Sequence, residues 1–244
     1  MRALVLGSGL QGSACAFDLL TTTDAKVSLA DSAPEHLPAF LKPYLGKRLA
    51  VFKVDARDEK NMRDVMSGHD VVLSALPYYL NVELARLAVS AGAHFADLGG
   101  NTEIVRRQQA MNAEVAQRGI SVIPDCGLAP GLVNVLAAEG IRRLDAAQTV
   151  KLYVGGLPQH PEPPLNYTMV YSLEGTLDYY TTPSWVVRDG KPIQVEALSE
   201  VEPVKFPKPL GTLEAFHTAG GLSTMPWAFA GRVKTMEYKT LRYP

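Results

Sequence analysis

Apolar residues in the first half of the chain form short runs separated by longer stretches of mixed polarity. These runs predict buried strands at residues 2–6, 26–30, 49–54, 70–74, 94–97 and 120–123. The stretches between them predict helices at residues 10–21, 58–67, 80–91 and 101–118. Nearly uninterrupted apolar strands that alternate with helices indicate βαβ units around a parallel sheet covered on both faces.

The pattern changes after a further predicted helix at residues 132–144. Of the 17 prolines, 11 lie beyond residue 150, and β-branched and aromatic residues cluster at 150–154, 185–188 and 234–240. Short runs of this kind are typical of a mainly antiparallel sheet with long loops. We therefore predict an α/β chain with a Rossmann-type, doubly wound parallel sheet at residues 1–125. A second α/β domain, with a mainly antiparallel sheet for substrate binding and dimerisation, is predicted at 126–244.

Composition and charge narrow the classes of function. The net charge is −1 and no block of like charges occurs, so neither nucleic acid nor a membrane surface is an expected partner. Cys15 and Cys126 are too few for a disulfide framework and favour a cytoplasmic location. Glycines interrupt the apolar N-terminus, which argues against a signal peptide, and no apolar stretch approaches the length of a membrane span.

A glycine-rich turn between the first strand and the first helix fits the pattern G-x-G-x-x-G. It comprises Gly7, Ser8, Gly9, Leu10, Gln11 and Gly12. In this context Gly7 permits a tight turn, Gly9 lets the backbone approach a pyrophosphate, and Gly12 lets the helix pack closely on the sheet. Amides at the helix start face the phosphate charge. The pattern predicts a dinucleotide site.

Asp31 ends the second strand, 19 residues beyond Gly12. At that position a carboxylate accepts hydrogen bonds from the adenosine ribose and repels a 2′-phosphate, so NAD is the predicted cofactor. A loop aspartate beside a structural turn is the alternative.

Two further segments follow strands at the edge of the sheet where such folds bind ligands. Asp55 and Ala56 follow the third strand and are predicted to contact the adenine, although a surface turn explains Asp55 almost as well. Residues after the fourth strand are predicted to pass beneath the nicotinamide ribose; these are Ser74, Ala75, Leu76 and Pro77.

Several segments resemble the saccharopine dehydrogenase/reductase-like family. They are residues 97–101, 124–131, 153–158, 211–216, 220–226 and 239–244. The resemblance covers nearly the whole chain, and within the family the sequence is most similar to lysine 6-dehydrogenases. It implies a homodimer or higher homo-oligomer and NAD-dependent oxidation of the ε-carbon of L-lysine. The product would be 2-aminoadipate 6-semialdehyde, which cyclises to piperideine-6-carboxylate. Family members continue past the segment at 239–244, so we expect the second domain to be truncated at Pro244.

Oxidation of an amine requires a base near the reacting carbon. Asp97 and Asp125 each end a strand near the expected nicotinamide position, and each could instead cap the following helix. His217 is a third candidate for proton transfer, and a structural histidine is the alternative. No cluster of histidine, cysteine and acidic residues has metal-ligand spacing, so no metal site is expected.

The remaining candidates would hold an amino-acid substrate. Arg242 is predicted to bind its carboxylate, with an exposed strand-end arginine as the alternative. Cys126 and Gly127 are predicted to line the pocket, and a covalent role of the thiol is the weaker hypothesis. Tyrosines in the second domain are predicted to pack there, some of them beside the substrate; these are Tyr153, Tyr171, Tyr179 and Tyr180.

Two rival functions stay open at this point. One is another reaction of the same family, on saccharopine or on carboxynorspermidine. The other is a catalytically inactive NAD-binding regulatory protein. A test with lysine, saccharopine and carboxynorspermidine separates the enzymes, whereas NAD binding without turnover indicates the regulatory protein.

Overall fold

A computed structural model describes residues 1–169 and 173–244, with the side chain of Glu174 left aside. Tyr171, one of the tyrosines predicted to pack in the second domain, lies outside the described residues. Contacts between Cα atoms divide the chain into two compact units. The first comprises Met1–Gly99 and Glu103–Cys126, and the second comprises Gly100–Thr102 and Gly127–Pro244.

The first unit is built on a six-stranded parallel sheet. Its strands are β1 (Arg2–Leu6), β2 (Lys26–Asp31), β3 (Leu49–Lys53), β4 (Val71–Ser74), β5 (His94–Asp97) and β6 (Val122–Ile123). They lie in the order β3-β2-β1-β4-β5-β6, which confirms the predicted Rossmann-type sheet. The order reverses between β1 and β4, so the carboxyl ends of these strands open the crevice in which such sheets bind ligands.

Helices cover the sheet because the apolar strands must be buried on both faces. They are α1 (Leu10–Thr22), α2 (Glu59–Met66), α3 (Asn81–Ala91), α4 (Thr102–Gln109) and α5 (Asn112–Gln117), with 3₁₀ helices at Ala39–Tyr44 and Tyr78–Leu80. One apolar cluster centres on Leu4, Leu84 and Phe95, and a second on Val5, Leu20 and Leu29. Alternate residues of β1 thus enter different clusters, as a strand between two helical layers requires.

The prediction of one continuous helix over 101–118 is wrong, because the structure has two helices, α4 and α5, with a break between them. The amide of Met111 donates to the carbonyl of Gln108, three residues back, and α5 starts afresh at Asn112. The sequence contains no proline or glycine at this break, so the apolar periodicity gave no signal for it. The strand predicted at 120–123 is also shorter in the structure, where it comprises two residues, Val122–Ile123.

The second unit carries a mainly antiparallel sheet, as predicted. Its strands are β7 (Thr149–Val154), β8 (Ser184–Arg188), β9 (Lys191–Val195), β10 (Glu202–Lys205), β11 (Thr212–His217) and β12 (Thr235–Arg242). The order is β10-β11-β12-β8-β9, and β7 pairs in parallel with β12. Its helices are α6 (Leu132–Arg142), α7 (Leu173–Thr181) and α8 (Met225–Ala228). None of the helices in the described ranges is long and apolar enough to cross a membrane.

The central strand β12 separates two chemically different faces. Met236 and Tyr238 pack into an apolar core with Leu152 and Leu222. Glu237 and Lys239 alternate with them and form ion pairs on the other face.

Candidate functional site

The glycine-rich turn of the first unit has the geometry of a phosphate-binding loop. Gly7 has a φ of 95°, a conformation that favours glycine. A Cβ atom on Gly12 would lie 1.9 Å from the carbonyl oxygen of Gly7, so only glycine allows α1 to start this close to the loop. The Ser13 hydroxyl donates to the carbonyl of Ser8 at 2.8 Å and holds the turn against the helix. The 13-residue helix α1 therefore presents its N-terminal amides and positive dipole end at the crevice.

Asp31 ties the end of β2 to this loop. Its Oδ2 accepts hydrogen bonds from the amide of Ser8 at 2.6 Å and from the Ser8 hydroxyl at 2.9 Å, while Oδ1 accepts from the amide of Ala33 at 2.9 Å. Partial burial acts to raise the pKa of Asp31, but these hydrogen bonds outweigh it and lower the pKa below its ordinary value. Asp31 is thus an ionised carboxylate that also fixes the loop.

A cavity of about 230 Å³ opens beside Asp31. Five of the residues predicted to bind the cofactor line it, namely Asp31, Asp55, Ala56, Leu76 and Pro77. Asp55 accepts a hydrogen bond from the amide of Arg57, so its carboxylate also shapes the turn after β3. Ser74 is not at the cavity surface because it is fully buried and donates to Asn81. The carbonyl of Ala75 lies 3.1 Å from where a Cβ on Gly7 would stand, which places this residue against the glycine turn.

Some lining residues were missed by the sequence analysis. They include Ser32, Val54, Arg57, Tyr79 and Leu80. Arg57 is exposed, and its guanidinium makes no hydrogen bond or ion pair that the described part of the chain supplies. Its position two residues after Asp55, in the same strand-to-helix turn, was a signal for it. Tyr79 and Leu80 lie in a 3₁₀ turn that the sequence pattern did not separate from α3.

Asp97 is buried and holds the loop that follows β5. The residue is 1% exposed; its Oδ1 accepts from the amides of Gly99 at 2.8 Å and Asp125 at 3.3 Å, and its Oδ2 accepts from the Gln108 side chain at 2.7 Å. Burial raises the pKa of Asp97 despite these bonds. Its oxygens are occupied inside the unit, which favours the positioning of Gly99 and Asp125, and its predicted role in proton transfer stays a prediction.

Asp125 and Cys126 follow β6 at the same edge of the sheet. Asp125 has a φ of 60°, and a Cβ on Gly99 would lie 1.8 Å from its Oδ1, so the two loops touch closely. The Cys126 thiol donates to the carbonyl of Ile123 at 3.3 Å. Desolvation, with Asp97 and Asp125 nearby, raises the pKa of this thiol, which disfavours the covalent role because the thiolate is the reactive form.

Gly127, predicted to line the substrate pocket, lies in the second unit. Its carbonyl accepts the amide of Leu132 at 2.9 Å, and a Cβ on Gly131 would lie 1.9 Å from that carbonyl. The segment is a tight turn that starts α6.

His217 is a structural residue in the second unit. It is completely buried, with Nδ1 3.2 Å from the carbonyl of Tyr238 and Nε2 3.2 Å from Oε2 of Glu200. A ring enclosed in this way cannot exchange a proton with a substrate, so the structural alternative replaces the predicted catalytic role.

Glu200, His217 and Glu237 each place a possible metal-ligand atom within 4.8 Å of the others. The guanidinium of Arg188 lies among them, with Nη2 2.9 Å from Glu200 and 2.7 Å from Glu237. An arginine thus supplies the positive charge that a metal ion would bring. The expectation that the chain binds no metal stays a prediction.

The same face of the sheet carries a further group of ion pairs around Glu202. Its carboxylate lies 2.9 Å from Nζ of Lys239 and 3.3 Å from Nζ of Lys151, and the Tyr153 hydroxyl donates to it at 2.9 Å. The hydrogen bond from Lys239 and those from Tyr153 and Lys151 lower the pKa of Glu202 to about 2. Tyr153, predicted to contact substrate, is therefore engaged inside this network.

Replacement of Glu202 with glutamine should reduce the acid sensitivity of the second unit. Because the pKa of Glu202 is depressed, its contribution to the free energy of unfolding is present above its ordinary pKa and is lost as pH falls from about 5 to 2. We expect E202Q to be less stable at pH 7 and to lose less stability over that range. Both tryptophans, Trp185 and Trp227, lie in this unit, so tryptophan fluorescence during urea unfolding measures it.

Exposed Glu214 on β11 provides the control, since no ion pair of the described residues involves it. E214Q should follow the wild-type pH dependence. Equal pH profiles for E202Q and the wild type would contradict the role assigned to the network.

Arg242 ends β12 beside two tyrosines. Its Nε and Nη2 donate to the hydroxyl of Tyr180 at 3.1 and 2.9 Å. Its guanidinium carbon lies 4.3 Å from the centroid of the Tyr167 ring. Tyr179, also predicted to pack here, contacts the Tyr180 ring edge-on at 6.4 Å. Arg242 is therefore held in place and half-buried rather than fully exposed, and its role in carboxylate binding stays a prediction.

Two family models match the chain, one for each half. A model described as the saccharopine dehydrogenase NADP binding domain matches residues 3–123, and one described as the saccharopine dehydrogenase C-terminal domain matches residues 127–244. Together they span nearly all of the sequence.

Named relatives agree with the family models. Saccharopine dehydrogenase (NADP(+), L-glutamate-forming) of Saccharomyces cerevisiae is 26% identical over 214 residues, which is 85% of this chain and 46% of that protein. The mitochondrial alpha-aminoadipic semialdehyde synthase of Rattus norvegicus is 26% identical over 215 residues, 84% of this chain and 23% of that protein. The chain thus spans less than half the length of these relatives.

The fold is shared with a solved structure. Apo histidine-tagged saccharopine dehydrogenase (L-Glu forming) from Saccharomyces cerevisiae superposes with a TM-score of 0.77 at 24% identity, covering 99% of this chain and 55% of that one.

Proposed function

The chain belongs to the saccharopine dehydrogenase family, and on this premise we propose that it is a nicotinamide-dependent oxidoreductase acting on a carbon–nitrogen bond of an amino acid. The observation that carries the proposal is the glycine turn with the adjacent cavity at Asp31. A bound nicotinamide dinucleotide would supply the hydride acceptor. The protein's part is to hold the pyrophosphate at the start of α1 and the adenosine in the cavity.

We propose NAD as the cofactor. Asp31 supports this choice, since an ionised carboxylate hydrogen-bonds ribose hydroxyls and repels a 2′-phosphate. Two observations favour NADP instead: the name of the matched family model and the Arg57 guanidinium in the same cavity. Substitutions at these two positions therefore test the cofactor directly.

Replacement of Asp31 with alanine should weaken NADH binding by about ten- to a hundredfold. The lost interaction between the charged carboxylate and the ribose is worth about 1.5–3 kcal/mol in total, and Ser8 loses its anchor as well. Calorimetric titration of wild type, D31A and R57A with NADH and with NADPH measures the effect. We expect D31A to narrow the preference for NADH over NADPH.

The Arg57 variant separates the two cofactors. If NAD is the cofactor, R57A changes NADH and NADPH affinities by similar small factors. A wild type that binds NADPH more tightly, with R57A abolishing that preference, would establish NADP. D58A is a control, because Asp58 caps α2 through the amide of Asn61 and does not line the cavity.

For the substrate we propose the ε-amine of L-lysine, and the names of the relatives favour saccharopine as the second candidate. Both are amino acids with an oxidisable carbon–nitrogen bond, and Arg242 would bind a carboxylate of either. NADH formation from the purified protein with lysine, saccharopine and carboxynorspermidine distinguishes them. Turnover of saccharopine without turnover of lysine would overturn the first choice.

The proton acceptor is a separate question because Asp97 and His217 are enclosed by their own units. Asp125 is the remaining predicted base. It is also buried, but its 9% exposure exceeds that of Asp97 and His217, and we propose it for this role because it follows β6 at the crevice side of the sheet. Turnover of any of these amines would exclude the rival hypothesis that the chain is a catalytically inactive nucleotide-binding protein. Retained NADH affinity without any turnover would favour it.

A further inference from the structure

The guanidinium of Arg242 is positioned by tyrosines and not by acids. No carboxylate among residues 1–169, 173 and 175–244 forms an ion pair with it. Because no carboxylate compensates the charge of this half-buried guanidinium, the site favours the binding of an external anion.

Counting donors shows what this arginine still offers. Of the five N–H groups of a guanidinium, Nε and one on Nη2 donate to Tyr180, and one on Nη1 donates to the carbonyl of Leu241 at 2.8 Å. Two N–H groups are left, one on each terminal nitrogen. Together they form the fork that binds both oxygens of one carboxylate.

Tyr180 offers a third donor. Its oxygen accepts both hydrogen bonds from Arg242, which leaves its own O–H to donate to an acceptor other than Arg242. The ring is fixed on α7 by contacts with Tyr179 and with Phe216, whose centroid lies 6.3 Å away. Both the hydroxyl and the guanidinium are thereby held before a ligand arrives, which lowers the entropic cost of binding.

Tyr167 covers one face of the guanidinium plane. With its centroid 4.3 Å from the guanidinium carbon, the ring attracts the cation and excludes water from that face. An anion must then approach in the guanidinium plane, where the free N–H groups lie. This geometry suits a flat carboxylate.

We propose that Tyr180 and Tyr167 position Arg242 as a receptor for the substrate carboxylate, so that they set the preference for an amino acid over the corresponding amine. This inference rests on the proposed function. It assigns Tyr180 a direct hydrogen bond to the substrate and Tyr167 a positioning role.

Replacement of Tyr180 with phenylalanine should raise KM for the amino-acid substrate by about tenfold, because a hydrogen bond to a charged group is lost. The ring contacts with Phe216 and Tyr179 are kept, so kcat and the KM of the cofactor should stay unchanged. Y167L should also raise KM for the amino acid, because the ring that attracts the guanidinium is lost. Tyr243, whose hydroxyl donates to the carbonyl of Pro158 at 3.3 Å, supplies the control Y243F.

Binding without turnover separates this inference from the proposed function. Calorimetry with L-lysine, saccharopine and 1,5-diaminopentane, which is lysine without its carboxylate, needs no nucleotide chemistry. We expect the wild type to bind a carboxylate ligand more tightly than the diamine and Y180F to lose about tenfold of that difference. Equal weakening of the amino acid and the diamine, or no change in Y180F, would overturn the proposal even if NADH binding is intact.

Discussion

Replacement of Gly12 with alanine should weaken NADH binding by about a hundredfold or more and destabilise the first unit. The added methyl carbon would stand 1.9 Å from the carbonyl oxygen of Gly7, and this neighbour is backbone and cannot rotate away. Either α1 or the glycine turn must move, which costs about 3 kcal/mol or more and displaces the phosphate-binding amides. A loss of this size lowers affinity by about a hundredfold or more. Titration with NADH and thermal unfolding measure the two effects.

Two other glycines make this result interpretable. A Cβ on Gly9 would meet no atom within 4 Å, so G9A should fold normally and lose affinity only because its methyl group faces the pyrophosphate. Gly68 is equally unobstructed and lies outside the cavity, so G68A should keep both stability and affinity. Full NADH affinity in G9A would show that phosphates do not approach this turn.

Replacement of Arg188 with methionine should lower the free energy of unfolding of the second unit by about 3–5 kcal/mol. Glu237 is only 6% exposed and lies 2.7 Å from the arginine, so its carboxylate would lose one of its two cationic partners while still buried. The buried carboxylate is then compensated only by Lys151 at 3.1 Å, so the cost approaches that of breaking a buried ion pair. Urea unfolding monitored by tryptophan fluorescence at pH 7 measures the change.

An exposed arginine of the same unit supplies the comparison. Arg142 pairs with Glu139 at 2.7 Å, but its side chain is 72% exposed, and solvent screens such pairs so that they contribute little to stability. R142M should therefore be nearly neutral. The double variant R188M/E237L should recover part of the loss, because it removes the stranded carboxylate. A destabilisation of R188M no larger than that of R142M would contradict the account.

The fold of the first unit was predictable because the sequence features that specify it lie close together in the chain. A strand, a glycine turn at Gly7–Gly12 and an acid at Asp31 have fixed spacing, and buried parallel strands are apolar throughout. The break at Met111 was not predictable, since it replaces one backbone hydrogen bond with another and leaves the side-chain pattern intact. The roles of Asp97 and His217 also required the structure, because burial by distant segments decides whether a titratable group meets a ligand.

The second unit was predictable only as a class of fold. Its strands β9, β10 and β11 are short. Charged residues such as Glu202 and Lys239 occupy one face of the sheet, so the apolar pattern that predicts strands is weak there. Their partners lie far apart in sequence, as Lys151 and Glu202 do, so spacing could not pair them. Tyr180 lies on α7, which sequence periodicity did not reveal, and its contact with Arg242 spans 62 positions.

The alternation along β12 has a consequence for evolution and engineering. An insertion or deletion of one residue just before Met236 would turn Glu237 and Lys239 toward the apolar side of the sheet and Met236 and Tyr238 toward the charged side. It would also rotate Arg242, at the end of the same strand, to the opposite surface. Changes in length should therefore be tolerated in the loops that flank β12 and not within the strand. A scan of single-codon insertions and deletions that preserve the reading frame should show the steepest loss of folded protein within β12.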